Sequence, residues 1–324
     1  MHCLRPFRNT DPPYLAEIWR SQPPQRSLLQ PISAPMLELG VFSKIHFDRA
    51  GLIVATQDDV PVGFVHAGFG PNEQLTALDT TLGTTYMLML RGGHEDPALA
   101  DQLLAASEEF LRSRGAKVLY VGGINPMNSF YLGLYGGSEI PGVLESNKLL
   151  QETCIKRGYR ETGQIPILQC DLKKFRTPMS RQVRQLRRSV RAEEVCDPAA
   201  TSWWEACVWG SMQRDRFQLL DHSENRVVAT ASFWDIQPLS ASWGVCTSGL
   251  FDLYVEPDWR RRGAASYLLN EAFIQLRSRG VGTIEAQTMA TNEAAIAFYD
   301  KLGFVEVDRG RVFRKDSSSH NGSA

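Results

Sequence analysis

The chain has 324 residues, and its 43% hydrophobic and 22% charged residues are the composition of an ordinary globular protein. Because a single hydrophobic core stops growing at roughly 250–300 residues, we expect two domains. The 35 Lys and Arg residues nearly balance the 36 Asp and Glu residues, which gives a formal net charge of −1. This balance excludes a global electrostatic attraction to nucleic acid or to an anionic membrane surface.

The six cysteines include no C-x-x-C pair, so we expect reduced thiols and no structural metal. No apolar run approaches the roughly 20 residues of a membrane helix, and the first residues lack the apolar core of a signal peptide. These features are typical of a cytoplasmic protein. The polar segment 316–324 is expected to be a disordered tail.

The pentapeptide LRSRG occurs twice, as Leu111–Gly115 and as Leu276–Gly280, 165 positions apart. When the sequence is shifted on itself by this distance, the patterns of strands and helices stay aligned over residues 51–115 and 216–280. The two halves share their pattern of strands and helices rather than their amino acids, which predicts a duplication followed by divergence. The predicted domains are residues 1–172 and 193–315, joined by a linker at 173–192.

The first half is predicted to form a hairpin over residues 51–68, where two apolar strands flank the polar turn QDD. A strand over 84–90 follows, and then a helix whose apolar positions from Ala100 to Leu111 lie on one face. Gly115 is typical of the left-handed residue that ends such a helix. A further strand, KVLYVGG, comes next.

The alignment then drops one residue and matches Asn128 and Tyr135 with Asn292 and Tyr299, which predicts a second helix from Asn128 to Tyr135. After it the first half carries an insertion, residues 136–156, that combines a Gly- and Pro-containing loop with a helix. Such an insertion serves either as a lid over a neighbouring cleft or as packing between the two halves, and packing is the commoner role.

The linker is strongly basic, and its apolar residues recur at helical spacing at Met179, Val183, Leu186 and Val190. This pattern predicts a helix with one face docked on the protein and its charges in solvent. A basic amphipathic helix also suits binding to RNA or to a membrane surface, which is the alternative interpretation.

The second half begins with a predicted helix over 197–212, followed by a hairpin over 216–233 and a strand that ends at Val255. Residues Arg260 to Ala265, RRRGAA, then open the helix that contains the second LRSRG. Backbone N–H groups at the N-terminus of a helix attract anions, and a glycine lets a phosphate approach the backbone closely. The segment therefore predicts an anion site; the alternative is a solvated basic turn that only caps the helix.

Two motifs in this half resemble those of the GCN5-related N-acetyltransferases, the GNAT family. The family's pyrophosphate loop has the pattern Q/R-x-x-G-x-G/A, and Arg260–Ala265 fits it. A second family segment is met one strand later by Asn292, Ala295, Phe298, Tyr299, Leu302, Gly303 and Phe304. The resemblance covers residues 216–314. It implies an α/β fold class, with two GNAT-like domains in tandem, each a mixed, mostly antiparallel twisted sheet flanked by helices.

The resemblance also implies acetyl-CoA as co-substrate, held in a V-shaped gap where the strand ending at Val255 diverges from the strand 283–288. The pantetheine arm would pair with the backbone of the first strand, and the pyrophosphate would lie on the amides of the arginine-rich loop. The implied cofactor-binding residues are Leu253, Tyr254, Val255, Arg260, Arg261, Arg262, Gly263, Ala264, Ala265 and Asn292.

In the family an amine attacks the thioester directly and a tyrosine protonates the leaving thiolate, and Tyr299 lies at the position of that tyrosine. A phenol with a pKa of about 10 suits a thiolate of comparable basicity, although Tyr299 also fits a purely packing role. Glu285 and Asp252, on the strands that border the gap, are the candidate general bases. If side chains alternate strictly along the strand, Asp252 lies on the face opposite Phe251 and Leu253, which argues against it as the base. If the attacking amine is already neutral, no carboxylate base is needed.

The same alignment places Glu95–Ala100 of the first half on Arg260–Ala265. Two carboxylates and Pro97 suit helix capping there, but they repel a pyrophosphate and remove an N–H donor. We therefore expect the first half to keep the GNAT-like scaffold without binding CoA in the usual way. Tyr135 is then expected to be structural.

These observations predict an N-acetyltransferase whose second domain transfers an acetyl group from acetyl-CoA to a primary amine of a small molecule or peptide. The alternative is a non-catalytic acyl-CoA-binding sensor that reports the cofactor level to a partner protein. No membrane, nucleic acid or metal is expected as a partner. The sequence does not decide between the classes of amine.

Overall fold

The computed structural model of the protein describes residues 2–176 and 181–316. Its strands are β1 (His2–Pro6), β2 (Leu52–Gln57), β3 (Val60–Pro71), β4 (Leu78–Leu90), β5 (Val118–Val121), β6 (Val143–Leu144), β7 (Arg160–Asp171), β8 (Val190–Cys196), β9 (Arg214–Asp221), β10 (Val227–Asp235), β11 (Thr247–Val255), β12 (Thr283–Gln287) and β13 (Val305–Asp316). Its helices are α1 (Pro12–Arg20), α2 (Ala34–Leu37), α3 (Pro97–Ser113), α4 (Lys148–Lys156), α5 (Arg181–Leu186), α6 (Trp203–Trp209), α7 (Gln237–Trp243), α8 (Ala264–Ser278) and α9 (Glu293–Lys301).

The described strands form one mixed sheet in the order β1-β2-β3-β4-β5-β13-β7-β12-β11-β10-β9-β8, with β6 paired to β13 at the side. Five strands of the first half thus stand at one end and five of the second half at the other. Between them the halves exchange strands, because β13 pairs with β5 and β7 pairs with β12. The predicted α/β class with two related halves is confirmed, and the sheet runs without a break across both of them.

The predicted hairpins are present in both halves. Asp58 and Asp59 connect β2 to β3, and both have left-handed backbones, with φ of 51° and 64°, as a two-residue hairpin turn requires. The helices α3 and α8 bury the predicted apolar faces. Gly115 and Gly280 follow them at φ of 103° and 91°, which confirms the predicted left-handed helix ends.

The helix predicted from Asn128 to Tyr135 is wrong, because residues 122–142 form an irregular loop. Tyr131 and Gly133 both have positive φ, 65° and 71°, and neither conformation belongs to a right-handed helix. The apolar residues of this segment instead belong to a loop that packs into the core. Tyr135 has a structural role as expected, since its hydroxyl accepts a hydrogen bond from the Leu144 amide at 2.7 Å.

The first-half counterpart of α9 is α4. Asn147 caps α4 by accepting a hydrogen bond from a backbone amide at 3.1 Å, and Asn292 caps α9 in the same way at 3.2 Å. Counting from these two caps, Tyr299 corresponds to Cys154 and not to Tyr135. The extra segment of the first half is therefore the loop before α4, and α4 itself belongs to the repeat.

The core lies in three clusters. One joins α3 and α4 to the sheet of the first half, and another joins α8 to the sheet of the second half. The third cluster covers the opposite face and contains side chains of both halves, among them Phe130 and Leu134 of the irregular loop and Trp204 and Trp234 of the second half. The loop therefore packs between the halves, as the commoner role of such an insertion predicts.

The basic linker docks one face on the second half. Val183, Leu186 and Val190 are buried in its core, whereas Arg187 is exposed and lies 3.9 Å from a carboxylate oxygen of Glu271. Val190 already begins β8, so the predicted linker overlaps the sheet by three residues. The predicted linker residue Met179 and the predicted tail beyond Asp316 lie outside the described residues.

All six cysteines are free thiols, as expected from their spacing. Cys154 and Cys170 are buried, and burial raises the pKa of the Cys170 thiol to about 11. No helix in the described ranges has the length and the apolar composition that crossing a bilayer requires.

Candidate active site

A gap opens in the sheet where β11 and β12 stop pairing. The two strands run parallel and are hydrogen-bonded as far as Leu250 and Ala286, and β11 then continues to Val255 paired with β10 alone. The first half has the same construction, since the parallel pairing of β4 with β5 ends at Thr85 and Val121. Both halves thus contain a V-shaped gap at the predicted place.

A β-bulge lies at the mouth of the second gap. The pairing of β10 with β11 shifts by one residue at Asp252 and Leu253, and Asp252 has a left-handed backbone with φ 53°. The bulge interrupts the alternation of side chains. Phe251 therefore stacks on Trp209 at 4.3 Å, whereas Leu253 packs on the opposite face against the α8 cluster. The argument from strict alternation against Asp252 as the base therefore fails.

The arginine-rich loop ends at an uncapped helix N-terminus. Gly263 precedes α8 with φ 88° and makes no side-chain cap bond, so the first-turn amides of α8 point outward without a capping acceptor. Arg261 is also left-handed, with φ 59°. Arg260 folds back on β11, where its Nε donates to the Val255 carbonyl at 2.9 Å and its guanidinium stands 5.9 Å from the Tyr254 ring.

A cavity of about 300 Å³ borders this loop. Trp259, Arg261 and Arg262 line one side of it, and the end of the linker lines the other. The cavity therefore combines two guanidinium groups with an uncapped helix N-terminus, which is the arrangement that binds phosphate groups. Leu253, Tyr254 and Val255 lie on the strand directly before the loop, so nine of the ten predicted cofactor-binding residues lie close together in the chain at one end of the gap. The tenth, Asn292, is the cap of α9.

The equivalent loop of the first half has its hydrogen bonds satisfied internally. Asp96 caps α3 by accepting from the Ala98 amide at 2.8 Å, and Pro97 has no N–H to offer. Glu95 accepts a hydrogen bond from the Gly93 amide at 3.0 Å. The geometry matches the predicted lack of a pyrophosphate site, because carboxylates occupy the place where the second half offers amides and arginines.

Tyr299 lies on α9 and is 6% exposed. Its ring contacts Phe298 and Phe304, and its hydroxyl has no hydrogen-bond partner in the described part of the chain. Burial raises the pKa of Tyr299 above its usual value, and the charge of Glu139 raises it further. The phenol is therefore protonated at neutral pH and available as a proton donor.

Glu285 is almost fully buried, and both of its carboxylate oxygens accept hydrogen bonds. One accepts from the Ser138 amide and the other from the Gln169 side chain, each at 2.7 Å. Burial raises the pKa of Glu285 to about 7, although these hydrogen bonds lower it. A Cβ added at Gly137 would clash with the same carboxylate. The structure therefore places this candidate base as an anchor under the irregular loop.

Asp252, the other candidate base, is exposed at the bulge. Desolvation raises its pKa, the positive charge of Arg216 lowers it and the charge of Glu205 raises it. Its charge in turn raises the pKa of Glu139, so the two carboxylates lie within electrostatic range of each other.

Glu139 was not predicted, and it is the residue that the fold adds to this site. It lines a cavity of about 210 Å³ together with Gln287, Thr288 and Met289, which end β12 or directly follow it. Burial raises the pKa of Glu139 to about 7, a hydrogen bond with the Asn125 side chain lowers it and the charge of Asp252 raises it. No pattern near Glu139 in the sequence indicates this role, because only the packing of the loop brings it to the other half.

Residues 181–304 match the model of the family described as "Acetyltransferase (GNAT) family". The chain is also similar to curated [ribosomal protein bS18]-alanine N-acetyltransferases. The one from Salmonella typhimurium is 39% identical over 71 residues, which is 22% of this chain and 48% of the relative. The one from Escherichia coli K12 is 31% identical over 103 residues, 32% of this chain and 65% of the relative. The chain thus spans 48% to 65% of the length of these relatives.

A solved structure extends the likeness over nearly the whole chain. It is a tandem GNAT protein from the clavulanic acid biosynthesis pathway, with a TM-score of 0.64, 11% sequence identity and 98% of each chain covered. At this identity the match establishes the fold of both halves and carries nothing about the substrate.

Proposed function

Because residues 181–304 match the GNAT family model, we propose that the chain is an N-acetyltransferase whose second half transfers an acetyl group from acetyl-CoA to a primary amine. The observation that carries the proposal is the uncapped N-terminus of α8, which lies beside two arginines at the end of the gap. The corresponding helix of the first half is capped by its own aspartate. One transfer site for each chain follows.

The residues present fit acetyl-CoA. The amides from Arg262 to Ala265 and the side chains of Arg261 and Arg262 would hold its phosphates. The edge of β11 that faces β12 is unpaired beyond Leu250, so it can offer backbone groups to the pantetheine arm. Acetyl-CoA supplies the thioester as the activated acyl group. In this proposal the amine attacks the thioester carbonyl, and Tyr299 gives its phenolic proton to the sulfur as the carbon–sulfur bond breaks.

Titration with acetyl-CoA by calorimetry tests the site, with Gly263→Glu as the variant that places a carboxylate on the amides. We expect one site for each wild-type chain and no measurable binding to the variant, since a negative charge at the helix N-terminus occupies the anion position. A thermal melt checks that the variant folds, because Gly263 has a left-handed backbone. Arg262→Glu, at an exposed residue, provides a second variant with the same expected direction.

The matched control is Ala98→Glu, the equivalent position of the first half, which is exposed. We expect this variant to bind one acetyl-CoA with unchanged affinity. Two sites in the wild type would contradict the assignment of the first half. Absence of any binding to the wild type would overturn the proposed function.

A further inference from the structure

The cavity beside Glu139, called here the interhalf cavity, is built by both halves. Ile124, Asn125, Glu139, Ile140 and Ile165 come from the first half, and Gln287, Thr288 and Met289 come from the second. The three second-half residues follow the point at which β12 separates from β11. The interhalf cavity therefore opens at the same gap in which the proposed thioester would lie.

The loop that carries Glu139 is fixed to the second half by hydrogen bonds on three consecutive peptide groups. The Gln287 side chain donates to the Glu139 carbonyl at 2.9 Å, and Trp234 donates to the Ser138 carbonyl at 3.0 Å. The Ser138 amide in turn donates to Glu285. These three hydrogen bonds join the loop to buried residues of the second half at the centre of the sheet. They therefore hold Glu139 in a defined position and not on a free loop.

Two acceptor groups of the interhalf cavity have room for a further partner. Glu139 has a hydrogen bond with the Asn125 side chain, but it takes part in none of the ion pairs of the described residues. Gln287 is 9% exposed, and its Oε1 has no hydrogen-bond partner in the described ranges. A buried amide oxygen without a partner is costly, so a ligand that brought a donor to this end of the cavity would be stabilised by it.

From this geometry we propose that the interhalf cavity binds the acceptor, a small aliphatic primary amine, with Glu139 as its counter-ion and the acceptor of its proton. The proposal rests on the proposed function. An ammonium group offers N–H donors both to the Glu139 carboxylate and to the free Gln287 oxygen. The side chains of Ile124, Ile140, Ile165 and Met289 provide apolar walls for an alkyl stem.

The volume of the interhalf cavity restricts the substrate class. At about 210 Å³ it is smaller than the roughly 300–1,000 Å³ of sites for drug-sized ligands. Four of the eight lining residues are apolar, so only Asn125, Glu139, Gln287 and Thr288 could replace the hydrogen bonds that a peptide backbone makes to water. A short alkyl amine fills such a site, whereas a polypeptide N-terminus brings carbonyl and amide groups that would lose their hydrogen bonds to water.

The proton balance of the step is complete with groups of this chain. The alkylammonium gives one proton to the Glu139 carboxylate and becomes a neutral amine. Its nitrogen then forms a bond to the thioester carbonyl carbon, and the carbon–sulfur bond breaks with the electron pair staying on sulfur. Sulfur takes the proton of Tyr299, the second proton leaving nitrogen restores the phenol, and Glu139 releases its proton to solvent.

Glu139→Gln in the full chain tests the proton role, with n-butylamine as the acceptor. We expect kcat/KM at pH 7 to fall by about 10²-fold or more, while the affinity for acetyl-CoA in calorimetry stays within twofold. The wild-type pH profile should rise through about pH 7, the pKa of Glu139 set by its burial, Asn125 and Asp252, and the variant should lose this limb. Glu152→Gln, at an exposed carboxylate of α4, is the control and should behave as wild type.

Met289→Trp tests the interhalf cavity separately. We expect the larger side chain to raise KM for n-butylamine at least tenfold without changing acetyl-CoA binding.

Unchanged turnover in Glu139→Gln would overturn the role of Glu139 while leaving the proposed function intact. Faster acetylation of an alanine-initiated hexapeptide than of n-butylamine would overturn the substrate class. A wild-type protein that binds acetyl-CoA but acetylates neither acceptor would contradict the cavity assignment, and one that binds no acetyl-CoA would remove the proposed function itself.

Discussion

The Tyr299 hydroxyl is the polar group of the candidate site that most closely fits one chemical role. The residue is nearly buried, yet its oxygen has no hydrogen-bond partner in the parts of the chain described here, and burial keeps its pKa above the usual value. The phenol therefore stays protonated at neutral pH and can donate to the sulfur as the carbon–sulfur bond breaks. The raised pKa makes this transfer less favourable than it is from a free phenol, whose basicity matches that of a thiolate.

Tyr299→Phe removes the proton donor and little else. We expect kcat to fall by about 10²-fold in an acetylation assay that follows thiol release, with acetyl-CoA affinity within twofold in calorimetry. The midpoint of thermal unfolding should stay nearly the same, because no hydrogen bond within the described residues is lost. An unchanged kcat would show that another acid serves the sulfur. Turnover absent from the wild type as well would favour the acyl-CoA sensor.

For single residues, the sequence analysis named the arginine-rich loop and Tyr299, but it did not predict the surroundings of the carboxylates of Glu285 and Asp252. The motif identified Gly263 because few residues other than glycine adopt the left-handed backbone that precedes an anion-binding helix. Glu285 and Asp252 were chosen from their strands alone. The bulge at Asp252 and the hydrogen bonds of Glu285 depend on neighbouring strands and on a distant loop, so neither follows from local pattern.

Among the elements, the loop over residues 122–142 has the most consequences for the site. It passes from the first half to the gap of the second and is held there by Glu285 through the Ser138 amide. The alignment of Asn128 and Tyr135 with Asn292 and Tyr299 predicted a helix at this place. The more informative signal was the asparagine that caps α4, Asn147, which has the same relation to its helix as Asn292.

Glu285→Gln weakens this anchor in a pH-dependent way. The amide presents a donor to Ser138 or Gln169, so we expect a loss of about 1–3 kcal/mol in the free energy of unfolding. Burial raises the pKa of Glu285 from 4.5 to about 7 in the folded state, so the folded protein binds a proton at Glu285 more tightly than the unfolded protein does. The stability gained from this proton falls as the pH rises from about 4.5 to 7.

The stability difference between wild type and Glu285→Gln should therefore shrink over that pH interval. Urea unfolding at pH 4.5, 5.5, 6.5 and 7.5 measures it, with tryptophan fluorescence as the signal. A difference that grows with pH would mean that the folded protein holds Glu285 as a stable anion.

Over the whole molecule, the exchange of β7 and β13 joins the two halves into one sheet. The partners of these two strands are not encoded by local pattern, since β7 pairs with β12 and β13 pairs with β5 across the halves. The sequence therefore predicted the number of units and missed their connection.

Separate expression of the halves tests this exchange. A fragment of residues 193–316 lacks β7, so the edge of β12 and the apolar residues under it are left uncovered. We expect this fragment and the fragment 1–192 each to be insoluble or poorly folded, and co-expression to restore a soluble complex with the circular dichroism of the full chain. A fragment 193–316 that folds alone and binds acetyl-CoA would show that the second half forms its own complete sheet.

The pairing of β13 with β5 also has a consequence for synthesis on the ribosome. It joins residues about 190 positions apart, and such distant pairing is slow because a long stretch of chain must be ordered first. At roughly 5–20 residues per second, the edge of β5 waits for many seconds while the second half is translated. We therefore expect the nascent chain to be a client of ribosome-associated chaperones until its last strand has emerged.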